Sequence, residues 1–219
     1  MHFQFLIEDA SGEILIRQVM YKIQSLYPDI SCDYKAFHGI GGYSKTGSVN
    51  KQKTGKLLND LSIYLSGFNK SLSVYNSAIF VVLDNDKRDP QDFKNSLESI
   101  AIAQNITIDH VFCLAIEEME AWLLGDIQAL LEAYPSAKSN ILHDYVQDSL
   151  CGTWELLANA IYTGGYTRLK KDFPSYSGIG KIKCEWAERI GQNMDIYHNL
   201  SPSFNFFINE VMKRIPKSA

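Results

Sequence analysis

The chain has 219 residues, 46% of them hydrophobic, and a formal net charge of −4. This supports one large domain, or one domain with a helical appendage, and excludes a globally basic nucleic-acid binder. No apolar run approaches the roughly 20 residues of a membrane-spanning helix, and the amino terminus enters a strand with no basic-then-apolar leader, so a soluble cytoplasmic protein is expected.

His2–Ile7 reads as the first strand, closed by Glu8. Asp9 to Gly12 forms a turn in which Asp9 or Ser11 can cap the next helix. Ile16, Met20, Ile23 and Tyr27 then recur at helical spacing, and Pro28 ends the helix. Glu8 therefore stands at the C-terminal end of a strand; an ordinary surface acid at a helix entry is the alternative. Cys32–Phe37 is a short second strand. The loop from His38 to about residue 54 carries Gly39, Gly41 and Gly42, with Lys45, Lys51, Lys53 and Lys56 around them. Glycines allow backbone to approach a ligand closely, so the loop is a candidate phosphate cradle, though it matches neither a Walker loop nor a dinucleotide fingerprint. A mobile surface loop explains it equally well. Leu57, Leu61, Tyr64 and Phe68 are the apolar stripe of the following helix.

Ala78 to Leu83 is six apolar residues in a row, the signature of a strand buried on both faces. It runs into Asp84-Asn85-Asp86. If extended geometry persists to Asp86, both acids face one spot, and two carboxylates there repel unless a cation or a proton sits between them. A solvated acidic loop before a helix starting at Pro90 is the competing explanation. That helix runs to about Gln104, and His110–Ala115 is a fourth strand. The next segment, Ile116 to Asp126, is expected to be helical, which would put Glu117 and Glu120 on one face; their position at a helix start would also suit the dipole.

The alternation of strands and helices predicts an α/β fold with a mostly parallel four-stranded sheet flanked by helices. Beyond Pro135 only helices are expected, at Thr153–Ile161, Lys181–Ile190 and Ser203–Ile215. Residues 163–180, rich in glycine, read as a long irregular connection that shares a second basic group, Lys170, Lys171, Lys181 and Lys183. Trp186, Phe204, Phe206 and Phe207 are expected in the core. The division is residues 1–134 for the α/β domain and 135–219 for a helical extension packed on it. Charge is uneven: Lys35 to Lys70 holds six lysines and one acid, whereas Asp84 to Glu132 holds eleven acids and three bases. An acidic metal pocket beside a basic lobe fits this, as does surface scatter. The cysteines Cys32, Cys113, Cys151 and Cys184 show no zinc spacing and no disulfide framework.

The ordered set Glu8, Asp84-Asn85-Asp86 and Glu120-x-Trp122 resembles the TOPRIM (topoisomerase–primase) domain over roughly residues 2 to 126. Glu8 and Glu13 sit like the two opening acids of the overcoming-lysogenization-defect nuclease group, with Asp9 where that group carries glycine. Glu120-Ala121-Trp122-Leu123-Leu124-Gly125-Asp126 is similar to a signature of small stand-alone TOPRIM-like bacterial proteins. Lys183-x-x-Trp186-Ala187 and Asn199-x-Ser201-Pro202-Ser203-Phe204 resemble their closing motifs. The resemblance implies a TOPRIM-like fold and a nuclease, often encoded beside an ATPase partner in defence-type gene clusters.

Hard oxygen donors without a histidine cluster favour Mg²⁺ or Mn²⁺ over zinc. The leading expectation is a metal-dependent phosphodiester hydrolase acting on nucleic acid, DNA ahead of RNA. Glu8, Asp84, Asp86 and Glu120 are the catalytic ligands, with Glu117 in reserve. His38, Lys45, Lys51, Lys53, Lys56, Lys181 and Lys183 are the candidates for binding the nucleic acid. No side chain stands out as a general base, so the metal is expected to activate water. A phosphoacceptor or nucleotide-binding switch domain is the alternative, weakened by the lack of a lysine after the fourth strand. A non-catalytic subunit of an ATPase complex is the third reading.

Overall fold

Strand alternation sorts the apolar residues onto two faces of one sheet. Phe3, Phe5, Ile7, Phe80, Val82 and Cys113 belong to one core, while Leu6, Ile79, Val81, Leu83, Phe112 and Leu114 belong to another. The computed structural model describes residues 1–41, 55–149 and 152–216. The strands are β1 (His2–Ile7), β2 (Ser31–Ala36), β3 (Ser77–Asp84) and β4 (Asp109–Ala115). All pairings are parallel, in the order β2-β1-β3-β4. The expected α/β class, with its four-stranded parallel sheet, flanking helices and C-terminal helices, is the observed one.

α1 (Ala10–Leu26) packs on the Phe3 face, and α2 (Leu57–Leu72) and α3 (Pro90–Ala103) pack on the other. The chain thus leaves β1 toward β2 over one face and crosses back to β3 over the opposite face. That reversal opens a crevice beyond the C-terminal ends of β1 and β3, where open α/β sheets bind ligands. Asp9 caps α1, as the sequence allows, accepting the Gly12 amide at 2.8 Å. Asp89 caps α3 ahead of Pro90.

The rest of the chain is α4 (Glu120–Leu124), α5 (Ile127–Ala133), α6 (Ser139–His143), α7 (Thr153–Ile161), α8 (Gly165–Asp172), α9 (Tyr176–Asn193) and α10 (Pro202–Arg214). α9 and α10 extend the Phe3-face core. Phe207 lies 6.2 Å from Phe5 and 6.0 Å from Phe80 between ring centroids, and stacks on Trp122 at 5.2 Å. Trp186 and Phe204 are buried with it, but Phe206 is exposed and carries Lys94 over its ring at 4.9 Å.

Residues 163–180 are not an irregular connection. α8 and the start of α9 occupy most of them, because the glycines stand at helix starts. Gly164 (φ 86°) and Gly165 (φ 70°) make the left-handed turn that launches α8. Gly178 lies in the first turn of α9, where its amide donates to Ser175 Oγ at 3.0 Å. Ser175 is thereby the N-cap of α9. Among the described residues, no helix is long and apolar enough to cross a membrane.

Candidate functional site

The ends of β1, β3 and β4 are stitched together by backbone and carboxylate. The Glu8 amide donates to the Val82 carbonyl at 3.0 Å, and the Gly39 amide donates to the Glu8 carbonyl at 2.9 Å. Glu8 Oε2 accepts the Asp84 amide at 3.0 Å. Asp84 closes β3, and its Oδ1 accepts the Met119 amide at 2.9 Å. That bond fixes the turn after β4 and hence the start of α4, whose first residue is Glu120. Glu8, Asp84 and Glu120 are thereby brought into one electrostatic group at the switch-point crevice.

A side chain from the far end of the sequence joins this group. Lys183, on α9, places Nζ 3.1 Å from Glu120 Oε2 and 3.3 Å from Glu118 Oε2. The Lys183 side chain is 15% exposed and that of Glu120 is 2% exposed. Glu120 Oε2, although ion-paired, is buried without an aligned hydrogen bond. Lys183 therefore does not present its charge outward to a phosphate backbone, as its place in the basic group implied; carboxylates engage it.

Burial raises the Glu8 carboxyl to about 7, against the lowering effect of its bond from Asp84, with Asp86 and Asp9 adding to the rise. Burial and then the Glu8 charge hold Asp84 well above the usual carboxylate range. Burial pushes Glu118 to about 8 and raises Glu120, and in both cases Lys183 opposes the rise. Burial alone would lower the Lys183 ammonium, but Glu120, Glu118 and Asp84 outweigh it and hold the group protonated beyond its ordinary range.

Two expected ligands are placed differently. Strand geometry stops at Asp84, and Asp86 adopts φ 50°, so the two aspartates do not share a strand face. Asp86 lies on the rim with its side chain 48% exposed, paired to Arg88 at 2.6 Å; its charge still reaches Glu8. Glu117 does not share a helix face with Glu120. It adopts φ 61° before α4 begins, and its carboxylate accepts the Gly152 and Thr153 amides at 2.7 and 2.6 Å. It is committed to the start of α7, where the helix dipole favours an anion. Glu118 was not singled out by sequence; its only signal was a third acid in Glu117-Glu118-Met119-Glu120.

Among the basic candidates, the His38 amide donates to the Gly55 carbonyl at 2.8 Å, and Lys56 Nζ donates to the His38 carbonyl. These bonds join the two roots of the basic loop beside Gly39, which holds Glu8. Lys181 is exposed on α9. Lys45, Lys51 and Lys53 lie outside the described residues.

The Glu120 to Asp126 signature divides between two tasks. Glu120 faces the acid group. Trp122 donates from Nε1 to Ser203 Oγ at 2.9 Å, and the Asn199 amide group donates to the Trp122 carbonyl at 2.8 Å. Asp126 caps α5 and also accepts the Asp195 amide at 2.8 Å. The Asn199 to Phe204 motif is thus a structural latch on α4.

Among the described residues, no three Asp, Glu, His or Cys side chains are grouped to hold a metal ion; Lys183 is ion-paired with Glu118 and Glu120. The donor chemistry nevertheless fits a hard divalent ion. Every donor is a carboxylate oxygen, and Glu120 Oε2 is a buried anionic oxygen without an aligned donor.

The raised carboxyls carry a stability consequence. An unfolded glutamate loses its proton near 4.5, whereas Glu8 and Glu118 lose theirs near 7 and 8 in the folded protein. Between those values the folded state binds more protons, so its stability falls as pH rises. Lys183 stays protonated in both states across this window and adds no slope. Thermal melts without metal are expected to show a lower midpoint at pH 8 than at pH 5.5, and Glu8→Gln to flatten that trend.

Among curated proteins and among solved structures, nothing matches the chain. A family model described as a domain of unknown function, DUF4276, matches residues 8–212, and the chain belongs to that family.

Proposed function

We propose that the protein is a Mg²⁺- or Mn²⁺-dependent phosphodiester hydrolase acting on nucleic acid, DNA ahead of RNA. The observation that carries this reading is that Glu8, just after β1, and Glu120, at the start of α4, both act on the buried Asp84 that ends β3, at the switch-point crevice of a parallel sheet. Those three would hold the ion, with Asp86 at the rim. The ion would supply charge neutralisation at the phosphate and a more acidic attacking water. Glu8 and Asp84 each hold one oxygen on a backbone amide, which fixes the orientation of the other. Lys56, rooted beside Gly39, and Lys181 supply the positive charge that a polyanion needs near an acidic pocket. The sequence resemblance to TOPRIM-like nucleases points the same way and adds the proposal of an ATPase partner in bacterial defence. The setting would be the cytoplasm, where the free thiols of Cys32, Cys113 and Cys184 stay reduced.

Single- and double-stranded DNA and RNA incubated with Mn²⁺ or with chelator test the reading. Cleavage is expected with the metal and none without it; no cleavage of any substrate with Mn²⁺ would sink it. The basic loop has its own test. Replacing Lys51, Lys53 and Lys56 with Gln is expected to weaken binding across all sequences. Each lost phosphate contact should flatten the slope of log affinity against log salt by about 0.7 to 0.9. An unchanged slope would move the backbone-binding surface elsewhere.

One observation favours the phosphoacceptor reading as a second choice. The lysine missing after β4 is supplied by α9, since Lys183 acts electrostatically on Asp84. Incubation with acetyl phosphate separates the two: a mass increase localised to Asp84 would favour it over hydrolysis.

A further inference from the structure

We propose that Lys183 is a tethered competitor of the divalent ion, and that its ammonium must leave Glu120 before the ion can engage Glu8, Asp84 and Glu120. The inference rests on the metal reading above. The ammonium lies 3.1 Å from Glu120 Oε2, a buried oxygen of the proposed ligand set. A divalent ion bound to that oxygen would share it with a second cation a few ångströms away, in a setting with little water to screen them. The two therefore exclude each other.

The fold confines the movement to one side chain. α9 is anchored by buried Trp186, Ala187 and Ile190, and Gly191 lies so close to α1 that an added Cβ would meet Leu15 at 3.2 Å. The helix is fixed, whereas the four-carbon lysine stem is not. A destination adjoins the site. Asp86, Lys87, Glu118, Trp154 and Glu155 line a cleft of about 540 Å³. The Trp154 ring is 5.8 Å from Lys183 Nζ, within reach of a cation–π contact. Glu155 Oε2 is buried there with no hydrogen-bond partner. A swing of the lysine stem toward Trp154 would exchange Glu120 for the cleft that Glu118 and Glu155 both line. The resting protein thus carries its own counter-ion, and the affinity for divalent metal is set by how readily that counter-ion moves aside.

Calorimetric titration of the full chain with Mn²⁺ tests this. Lys183→Met, checked for folding by circular dichroism, is expected to bind Mn²⁺ about tenfold more tightly or better, and Lys183→Arg no more tightly than the parent. A lysine that merely props up the site predicts the opposite direction for Lys183→Met. Equal or weaker binding by that variant, with the parent binding normally, would overturn the competition alone. If neither protein binds Mn²⁺, the metal reading fails and takes the competition with it. A second measurement needs no variant. Acetic anhydride labelling of the parent, read at Lys183 by peptide mass spectrometry, should rise several-fold when Mg²⁺ is added to saturation. Labelling that does not change would overturn the displacement.

Discussion

Asp84→Asn is expected to lower Mn²⁺-dependent cleavage by roughly 100-fold or more, the scale at which single charge-stabilising groups act, and to raise the melting temperature of the metal-free protein. Asparagine keeps an oxygen where Asp84 Oδ1 accepts the Met119 amide, so the turn into α4 retains its tether. What it removes is the anion. In the metal-free protein that anion is desolvated and repelled by Glu8, Asp9 and Glu120, with Lys183 opposing. Lys183 keeps Glu118 and Glu120 as partners, so its own charge is not stranded. Relief of repulsion should therefore outweigh the lost attraction, as sites that trade stability for function commonly show. Asp86→Ala should be milder on both counts, since Asp86 is half exposed and already paired with Arg88. Cleavage assays, Mn²⁺ calorimetry and thermal melts check the set. Unchanged Mn²⁺ affinity in Asp84→Asn would place the ligands elsewhere.

The sheet was legible because its signals are short-range. A six-residue apolar run bounded by turn chemistry reads as a doubly covered strand, and β3 is buried along that run. Glu8 and Asp84 were legible for the same reason, since strand ends of a parallel sheet share one edge. What escaped was set by single backbone angles or by long-range packing. Nothing in Ile116-Glu117-Glu118 announces that Glu117 takes φ 61°, yet that one dihedral separates it from Glu120 and leaves Glu118 beside Lys183. Lys183 itself reads in the sequence as a candidate for binding the nucleic acid, not as a partner of the acids. Its entry into the acid group depends on how α9 docks on α1, and periodicity in α9 fixes the buried stripe of Trp186, Ala187 and Ile190 without saying what the opposite edge meets. Glycine-rich 163–180 misled because glycine marks helix starts as well as loops.

The largest loss of stability is expected from Gly125→Ala, at the C-terminal end of α4. A Cβ there would sit 2.0 Å from Asn199 Oδ1 and 2.9 Å from the Ser201 backbone nitrogen. Neither neighbour can retreat cheaply. Asn199 is buried and holds the Trp122 carbonyl at 2.8 Å and the Ser201 amide at 2.8 Å. Ser201 is buried too; its Oγ donates to Asp148 at 2.7 Å and caps α10 by accepting the Phe204 amide at 3.1 Å. Forcing the latch apart combines overpacking with loss of buried hydrogen bonds, a cost of about 3 kcal/mol or more. In a chain of this size that lowers the melting temperature by about 10 °C. Asn199→Ala should also destabilise, by leaving the Ser201 amide without its acceptor, but it clears the nearest obstacle to the Cβ. The double variant should therefore lose less than the sum of the two single losses, because the sites share one contact. Strict additivity would mean that Gly125 is constrained by something other than Asn199. Since the latch seats α4, and α4 begins at Glu120, Gly125→Ala should also weaken Mn²⁺ binding below its melting point. Mn²⁺ affinity left intact would show that Glu120 is positioned by Lys183 and the Asp84–Met119 bond rather than by the latch.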